Sequence, residues 1–304
     1  MRAMVFDRYG GPEVLSLAEV PEPVAGPGQL LVRIAAAAVN PADYKWRSGM
    51  FAARVPIALP HILGYDVAGT VLAVGHRAAD LAPGDRVAAL LDPITKGGYA
   101  ERVAVDAAAA AKIPDELDFV RAAAVPCASL TGAQVMDEVL QPHAGQTVLV
   151  TGATGAVGLV GMLYAIRRGA RVIAAVRACH AAAARNYGAA EVIVLGEHNG
   201  RGALFDLVFD TVGGDAVAEL CRQLKPGGRI ITVATTPMDG PGLPVAPEFV
   251  AVHPDGRRLR GLLDDVVAGH LPIRVAHRLP LAQAAEAQRL VEAGGLSGKV
   301  VLVL

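Results

Sequence analysis

The stretch Thr151-Gly152-Ala153-Thr154-Gly155-Ala156-Val157-Gly158 sets glycine at every third position, a Gly-x-x-Gly-x-x-Gly pattern. Glycines so spaced let a tight turn form with no Cβ in the way, so a pyrophosphate can approach bare backbone. A helix starting there adds its first free N–H groups and the positive end of its dipole. The chemistry is the holding of a dinucleotide diphosphate, with Gly152, Thr154, Gly155, Ala156 and Val157 as candidate contacts. A Gly-rich turn with no ligand is the plain alternative. No carboxylate occurs from Arg171 to Asn186, the region where a sheet that binds NAD places Asp or Glu for the ribose hydroxyls. Arg177 suits a 2′-phosphate instead and favours NADPH over NADH. A solvated surface arginine is the other reading of Arg177.

These residues need a strand before the turn, a helix after it, and a second strand about 20 residues on. The pattern predicts all three. Gln146–Val150 is an apolar strand, Val157–Arg168 a helix and Arg171–Val176 the next strand. A helix over His180–Tyr187 and strands over Glu191–Val194, Phe205–Asp210 and Arg229–Val233 continue the alternation, with a helix near Ala216–Leu224. Continuous apolar strands alternating with helices mean a parallel sheet covered on both faces. Residues 1 to about 120 read differently, with strands at Leu30–Ile34, Gly69–Val74 and Arg86–Leu90 between Gly/Pro turns, as in a small barrel. Ala107–Ala111 reads as a linker or helix, and Phe119–Cys127 and Leu130–Leu140 as helical. The final Lys299–Leu304 is a strand with no evident place in the parallel sheet.

With 304 residues the chain is long enough for two domains. Hydrophobic residues make up 53% and charged ones 19%, which excludes an intrinsically disordered protein. A net charge of −1 supplies no field to steer the chain to nucleic acid or an anionic membrane. Cys127, Cys179 and Cys221 lie 52 and 42 residues apart, too far for metal-ligand spacing, and read as reduced core thiols of a cytoplasmic protein. The N-terminus has no apolar run like that of a signal peptide. Val148–Ile166 holds 19 residues without a charge, but its glycines argue against a membrane span.

The chain resembles the medium-chain dehydrogenases/reductases, and among them the zinc-independent, zeta-crystallin-like NADPH:quinone oxidoreductases. The resemblance runs nearly end to end. It is carried by Gly10–Leu15, Val39-Asn40-Pro41-Ala42-Asp43 with Arg47-Ser48-Gly49, and Leu63–Val71. Gly84–Val87, Gly97–Glu101, Gly152–Gly158, Leu224–Arg229 and Gly298–Leu302 follow in order. It implies an α/β protein with a chaperonin-10-like barrel from residues 1–118, completed by 261–304, and a Rossmann domain over 119–260, with the active site between them. The last strand would then belong to the barrel.

The family's zinc-dependent branch has a ligand cysteine near the place of Asn40 and four more after the Gly-Asp-Arg-Val motif; here no cysteine precedes Cys127. His61 and Asp66 find no third partner, so no metal is expected. Without a Lewis acid the site suits substrates already disposed to accept hydride, namely quinones and α,β-unsaturated carbonyls. The resemblance implies that Asn40 and Thr131 approach the nicotinamide and that Val233-Ala234-Thr235 and Val250-Ala251-Val252 line nicotinamide and ribose. Thr211–Gly213 would touch the adenosine, while Val250–Val252 reads equally as a core strand.

Tyr44, Lys45 and Asn40 are the candidate catalytic residues, although family members often carry tyrosines where Lys45 and Phe51 stand. If the segment is extended, Tyr44 and Lys45 face opposite sides. Tyr44 as proton donor competes with a packing role, and Lys45 at a cofactor phosphate or substrate oxygen competes with a solvated lysine. Asp43 reads as a polar cleft residue or a helix cap. Substrate choice falls to positions 43–60, 92–97 and 236–257.

Three other readings stay open. A short-chain dehydrogenase needs Tyr-x-x-x-Lys, but Tyr164 precedes Arg168 and Tyr187 precedes Glu191 by that spacing. An enoyl-thioester or polyketide enoyl reductase keeps the fold. A non-catalytic NADPH-binding protein keeps only the cofactor. The family also implies a homodimer, through edge strands of the Rossmann sheets.

Overall fold

A computed structural model of the chain describes residues 1–76, 80–95, 97–197, 204–238 and 242–304. Lys96 and residues 239–241, part of the segments expected to set substrate choice, lie outside the described residues. The chain forms two compact units, one of Met1–Leu130 with His253–Leu304 and one of Thr131–Val252.

The discontinuous unit is strand-rich. Its first part holds β1 (Arg2–Phe6), β2 (Ser16–Glu19), β3 (Gln29–Val39), β4 (His61–Ile62) and β5 (Asp66–Val74). β6 (Arg86–Leu90), β7 (Arg102–Asp106) and β8 (Ala110–Lys112) complete that part, with helices α1 (Pro41–Arg47) and α2 (Phe119–Ala123) and the start of α3 (Pro126–Gln134).

The compact unit continues α3 into a π-helical turn, Val135–Leu140. It then alternates β9 (Thr147–Thr151), α4 (Ala156–Arg167), β10 (Arg171–Val176), α5 (Ala181–Asn186) and β11 (Glu191–Val194). β12 (Phe205–Asp210), α6 (Asp215–Cys221), β13 (Leu224–Thr232) and β14 (Glu248–Phe249) follow. The chain returns to the first unit with α7 (Gly256–Val267), β15 (Val275–Pro280), α8 (Ala284–Ala293) and β16 (Lys299–Val303).

In the compact unit the six strands are all parallel and lie in the order β11-β10-β9-β12-β13-β14. This is the doubly wound order, and the switch point falls between β9 and β12. β9 and β12 are runs of Val, Leu and Phe because both faces of the sheet are covered: Val148, Val150, Leu207 and Phe209 face one core cluster, Leu149, Phe205 and Val208 the other.

In the strand-rich unit seven strands form one sheet, β15-β16-β3-β5-β6-β8, with β7 also on β3. β16 pairs antiparallel with β3, Val300 opposite Val39, so the orphan strand of the sequence completes this sheet. Small residues let the strands approach: a Cβ on Gly69 of β5 would stand 2.1 Å from the Arg33 carbonyl oxygen.

Several expectations shift. Ala107–Ala111 is neither linker nor helix; a single turn at Ala107–Ala109 leads into β8, where Ala110 pairs with Ala89. The compact units divide at 130/131 and 252/253, where the resemblance implies 118/119 and 260/261. The reason is packing: α2 lies on β3 and β5, and α7 lies on β8. Val250–Val252 is not a core strand, since only Glu248 and Phe249 pair with β13. Tyr44 and Lys45 sit on a helix, so they diverge by about a quarter-turn and do not face opposite sides. The helix starts there because Pro41 occupies its first position, with Asn40 as cap.

Candidate functional site

In the parallel-sheet unit the glycine turn sits where β9 ends and α4 begins. Gly152 has φ +59°, and a Cβ there would meet Thr211 Oγ1 at 2.5 Å. Gly158 is in closer contact still: its Cβ would stand 2.3 Å from the Gly152 carbonyl oxygen. The helix therefore begins directly against the turn. Gly155 and Ala156 are exposed and Thr154 and Val157 half-exposed. The Gly155 N–H is already bonded to Gly152 O at 2.8 Å. This leaves the amides of Ala156 and Val157, in the first turn of α4, without an intrahelical acceptor.

Three loops meet at the carboxyl ends of β9, β12 and β13, and one buried carboxylate ties them together. Asp210, fully buried at the end of β12, accepts at Oδ1 from Thr151 Oγ1 (2.6 Å), Val212 N (2.9 Å) and Gly213 N (2.9 Å). Its Oδ2 accepts from Thr232 Oγ1 at 2.7 Å. Thr151 Oγ1 in turn accepts from Thr211 N at 2.9 Å, and Thr232 Oγ1 from Ala234 N at 3.0 Å. So Thr211, Val212, Gly213 and Ala234 are held by side chains at the strand ends. The arrangement brings Gly152, Thr211 and Val233-Ala234-Thr235 to one edge of this sheet. Val250 follows at that edge, its N–H on Thr232 O at 3.1 Å. Nearby Cys221 is inert: burial first, then the Asp210 charge, pushes its thiol up to about 12.

Arg177 is exposed just past β10, with Nη2 at 3.1 Å from His180 Nε2 and no carboxylate partner among the described residues. Thr131 is buried on α3 of the same unit.

In the strand-rich unit the centre is Asn40, 4% exposed. Its backbone N–H donates to Asp43 Oδ2 at 2.7 Å and its Nδ2 to Asp66 Oδ2 at 2.9 Å. Lys299 Nζ donates to Asn40 Oδ1 at 2.5 Å and to Asp66 Oδ2 at 3.3 Å. Asp43 also accepts from Gly64 N (3.0 Å) and the Tyr99 hydroxyl (2.9 Å), and Asp66 from Cys127 N (2.7 Å). Both carboxylates are fully buried. Burial pushes the Asp43 carboxyl up to about 7, against the bonds from Asn40 and Tyr99. Burial likewise raises Asp66, opposed by the charge of Lys299.

Tyr44 and Lys45 are half-buried on α1, with the Lys45 ammonium 5.8 Å from the Tyr44 ring centroid. Burial raises the Tyr44 phenol and lowers the Lys45 amine. His61 is not a metal candidate here; its Nε2 is 3.1 Å from Pro93 O and its ring stands edge-on to Phe6.

A profile described as alcohol dehydrogenase GroES-like domain matches residues 26–115, and one described as zinc-binding dehydrogenase matches residues 179–302. The chain is 33% identical over 323 aligned positions, covering 99% of it and 79% of the relative, to the NADPH-dependent alkenal/one oxidoreductase of Arabidopsis thaliana chloroplasts. The chain belongs to the medium-chain dehydrogenase/reductase family. Medium-chain dehydrogenases/reductases are also what its fold resembles. The quinone oxidoreductase of Coxiella burnetii superposes with TM-score 0.88 at 30% identity, covering 100% of this chain and 99% of that one. An NAD-dependent alcohol dehydrogenase superposes with TM-score 0.86 at 32% identity over the whole of both chains. The protein is an oxidoreductase with a GroES-like unit and a Rossmann-type unit.

One profile carries zinc in its description, but the side chains at Asn40 do not fit that ion. Asn40 Oδ1 and Asp66 Oδ2, the oxygens that a cation would use, already face the Lys299 ammonium. Among the described residues no group of three or more His, Cys, Asp or Glu could hold a metal.

Asp66, Lys299, Tyr99, Asp210, Thr151 and Thr232 carry both networks; Thr151, Tyr99 and Lys299 lie inside the motifs quoted above without a role of their own, and Asp66 was considered only as a possible ligand. The signal for the Rossmann-type set was present: three apolar strands each end on a polar residue, Thr151, Asp210 and Thr232.

Two predictions follow from these networks. Asp210→Asn places an amide where four donors need an acceptor, so dinucleotide affinity should drop at least tenfold and stability by ~1–3 kcal/mol; unchanged affinity by fluorescence titration would contradict it. Asp43 has a folded-state pKa above its unfolded 3.8. Its stabilisation is therefore full below about pH 4 and is lost as pH rises through about 7. The urea midpoint should fall over that window, and Asp43→Asn should flatten the slope while lowering the midpoint throughout. A wild-type midpoint constant over that window would refute it.

Proposed function

We propose that this oxidoreductase is a zinc-independent, NADPH-dependent reductase that delivers hydride to a quinone or an α,β-unsaturated carbonyl. The observation that carries the reading is the pairing of bare helix-start amides at the parallel-sheet switch point with an exposed Arg177 beyond the neighbouring strand. The alkenal/one oxidoreductase relative is named NADPH-dependent and the alcohol dehydrogenase neighbour NAD-dependent, so the family uses both cofactors. Arg177, with no acidic residue from Arg171 to Asn186, favours the phosphorylated one.

The reduced nicotinamide, when bound, supplies the hydride. The residues of the chain bind, orient and neutralise. The Ala156 and Val157 N–H groups would hold the diphosphate, with Gly152, Thr154 and Gly155 shaping the turn against it. Arg177 would meet the 2′-phosphate, with His180 beside it. In the Rossmann-type unit Thr211, Val233–Thr235 and Val250–Val252 would line the adenosine, ribose and nicotinamide, with Thr131 supplying a hydroxyl for the ring; in the GroES-like unit Asn40 is the residue this reading assigns to the nicotinamide. Addition of a hydride to an enone or a quinone would leave negative charge on the carbonyl oxygen, for which a proton is needed. The Lys45 ammonium, its pKa lowered by burial, gives up a proton more readily than an ordinary lysine; Tyr44, raised by burial, stays protonated. Neither needs a Lewis acid for substrates whose carbonyl conjugation already accepts hydride.

A homodimer belongs to the same reading. β14 ends the parallel sheet as a two-residue edge strand with Phe249 57% exposed, a surface that pairing with a second copy would cover.

Arg177→Ala should weaken NADPH by ~10-fold or more while leaving NADH nearly unchanged; equal Michaelis constants for NADPH in both proteins would end the assignment. A turnover panel of 1,4-quinones, enones and crotonyl thioesters tests the substrate class. Reduction of the thioester alone would replace it with an enoyl-thioester reductase. Stoichiometric zinc in elemental analysis would overturn the metal-free reading.

A further inference from the structure

Lys299 opens the last strand of the chain and is 9% exposed. A buried ammonium is costly unless acceptors surround it. Here it has two, Asn40 Oδ1 at 2.5 Å and Asp66 Oδ2 at 3.3 Å. An ammonium only donates and an ionised carboxylate only accepts, whereas a carboxamide has one end of each kind. Asn40 is caught between the two. Its Oδ1 must face Lys299 and its Nδ2 must face Asp66; the flipped amide would oppose donor to donor and acceptor to acceptor. Its backbone is fixed as well, by the bond from Asn40 N to Asp43 Oδ2 at 2.7 Å. One N–H and one lone pair of the carboxamide remain, and both point in directions set by this pair of charges.

We propose that Lys299 is the built-in cation of the GroES-like unit and a positioning residue for Asn40, neutralising Asp66 and deciding which way the Asn40 carboxamide faces. The ammonium stands where a divalent ion would have to meet the same two oxygens. Its single charge balances the single charge of Asp66. Its three hydrogens impose direction, which a bare ion would not. The effect on turnover rests on the reading of Asn40 as a nicotinamide contact; the cation site itself does not.

The test uses the full-length protein with three substitutions. Lys299→Met removes the charge at similar volume and should lower quinone or enone turnover by about tenfold to a hundredfold, the scale of a misplaced contact. Lys299→Arg restores the charge and should recover turnover relative to Met. Lys299→Ala leaves a hole lined by Asp66 and Asn40. There ethylammonium should raise both Tm and turnover, whereas tetramethylammonium at equal ionic strength, having no N–H, should raise neither. The proposal fails if Lys299→Met turns over like the wild type, or if the two ammonium ions act alike on Lys299→Ala. Should the alanine variant not fold, the comparison of Arg with Met decides. If the wild type reduces neither substrate class, the proposed function has failed, and the Tm response to ethylammonium alone decides the cation site.

Discussion

A carboxylate removed from water must be answered by donors or by a cation, and in each unit of this protein that requirement organises the functional residues. Asp210 collects two hydroxyls and two backbone amides from three strand ends. Asp43 and Asp66 together collect six bonds, three of them from Asn40 N, Asn40 Nδ2 and Lys299. An unanswered buried charge would cost several kcal/mol, so the donors are held as firmly as the carboxylates. The loops that carry Thr211, Gly213 and Ala234 are ordered from beneath by strand-end side chains. Ligand groups placed above such loops meet backbone that has already lost its freedom, which is what preorganisation means in energetic terms.

The two units answer the requirement differently. The Rossmann-type unit uses neutral donors only, and its buried charge sits at the carboxyl ends of parallel strands, where the next loops can reach it with N–H groups. The GroES-like unit adds a cation. Its site lies between a helix cap, Asn40, the start of β5 at Asp66, and the start of β16 at Lys299. Two carboxylates this close disfavour each other's ionisation, and the Asp66 charge is among the causes that raise Asp43. One ammonium relieves one of them. The Lys299 bond goes to Asp66, while Asp43 has only neutral donors and burial pushes it up to about 7.

The fold was legible wherever a local pattern specified it. Apolar strands and a glycine turn identified the parallel sheet because burial on both faces leaves a continuous apolar run, and the third glycine of the pattern, Gly158, proves to lie where a Cβ would meet the Gly152 carbonyl. What was not legible depends on long separations. Lys299 meets Asn40 across 259 positions and Asp66 across 233, and no periodicity links such residues. Tyr99 reaches Asp43 across 56. Ala107–Ala111 misled because alanine favours a helix by propensity, while pairing of Ala110 with Ala89 in the sheet overrides it. The Gly155 N–H is bonded to Gly152 O within the turn, a closure that the spacing of the glycines does not reveal.

The charge arithmetic at Asn40 also bears on why related chains of one fold divide by metal. A zinc ion brings two positive charges and polarises a substrate oxygen; an ammonium brings one and is tethered by a four-carbon stem to the last strand. On the metal-free reading proposed above, a site neutralised by the ammonium would orient a carboxamide and would offer no coordination position to an alcohol or a simple ketone. The burden of activation would then move to the substrate, whose own conjugation would have to lower the barrier to hydride addition. On this reasoning the choice between metal and lysine turns on how much positive charge Asp66 needs, and Asp66, bonded to Lys299, Asn40 and the Cys127 amide, is matched by one.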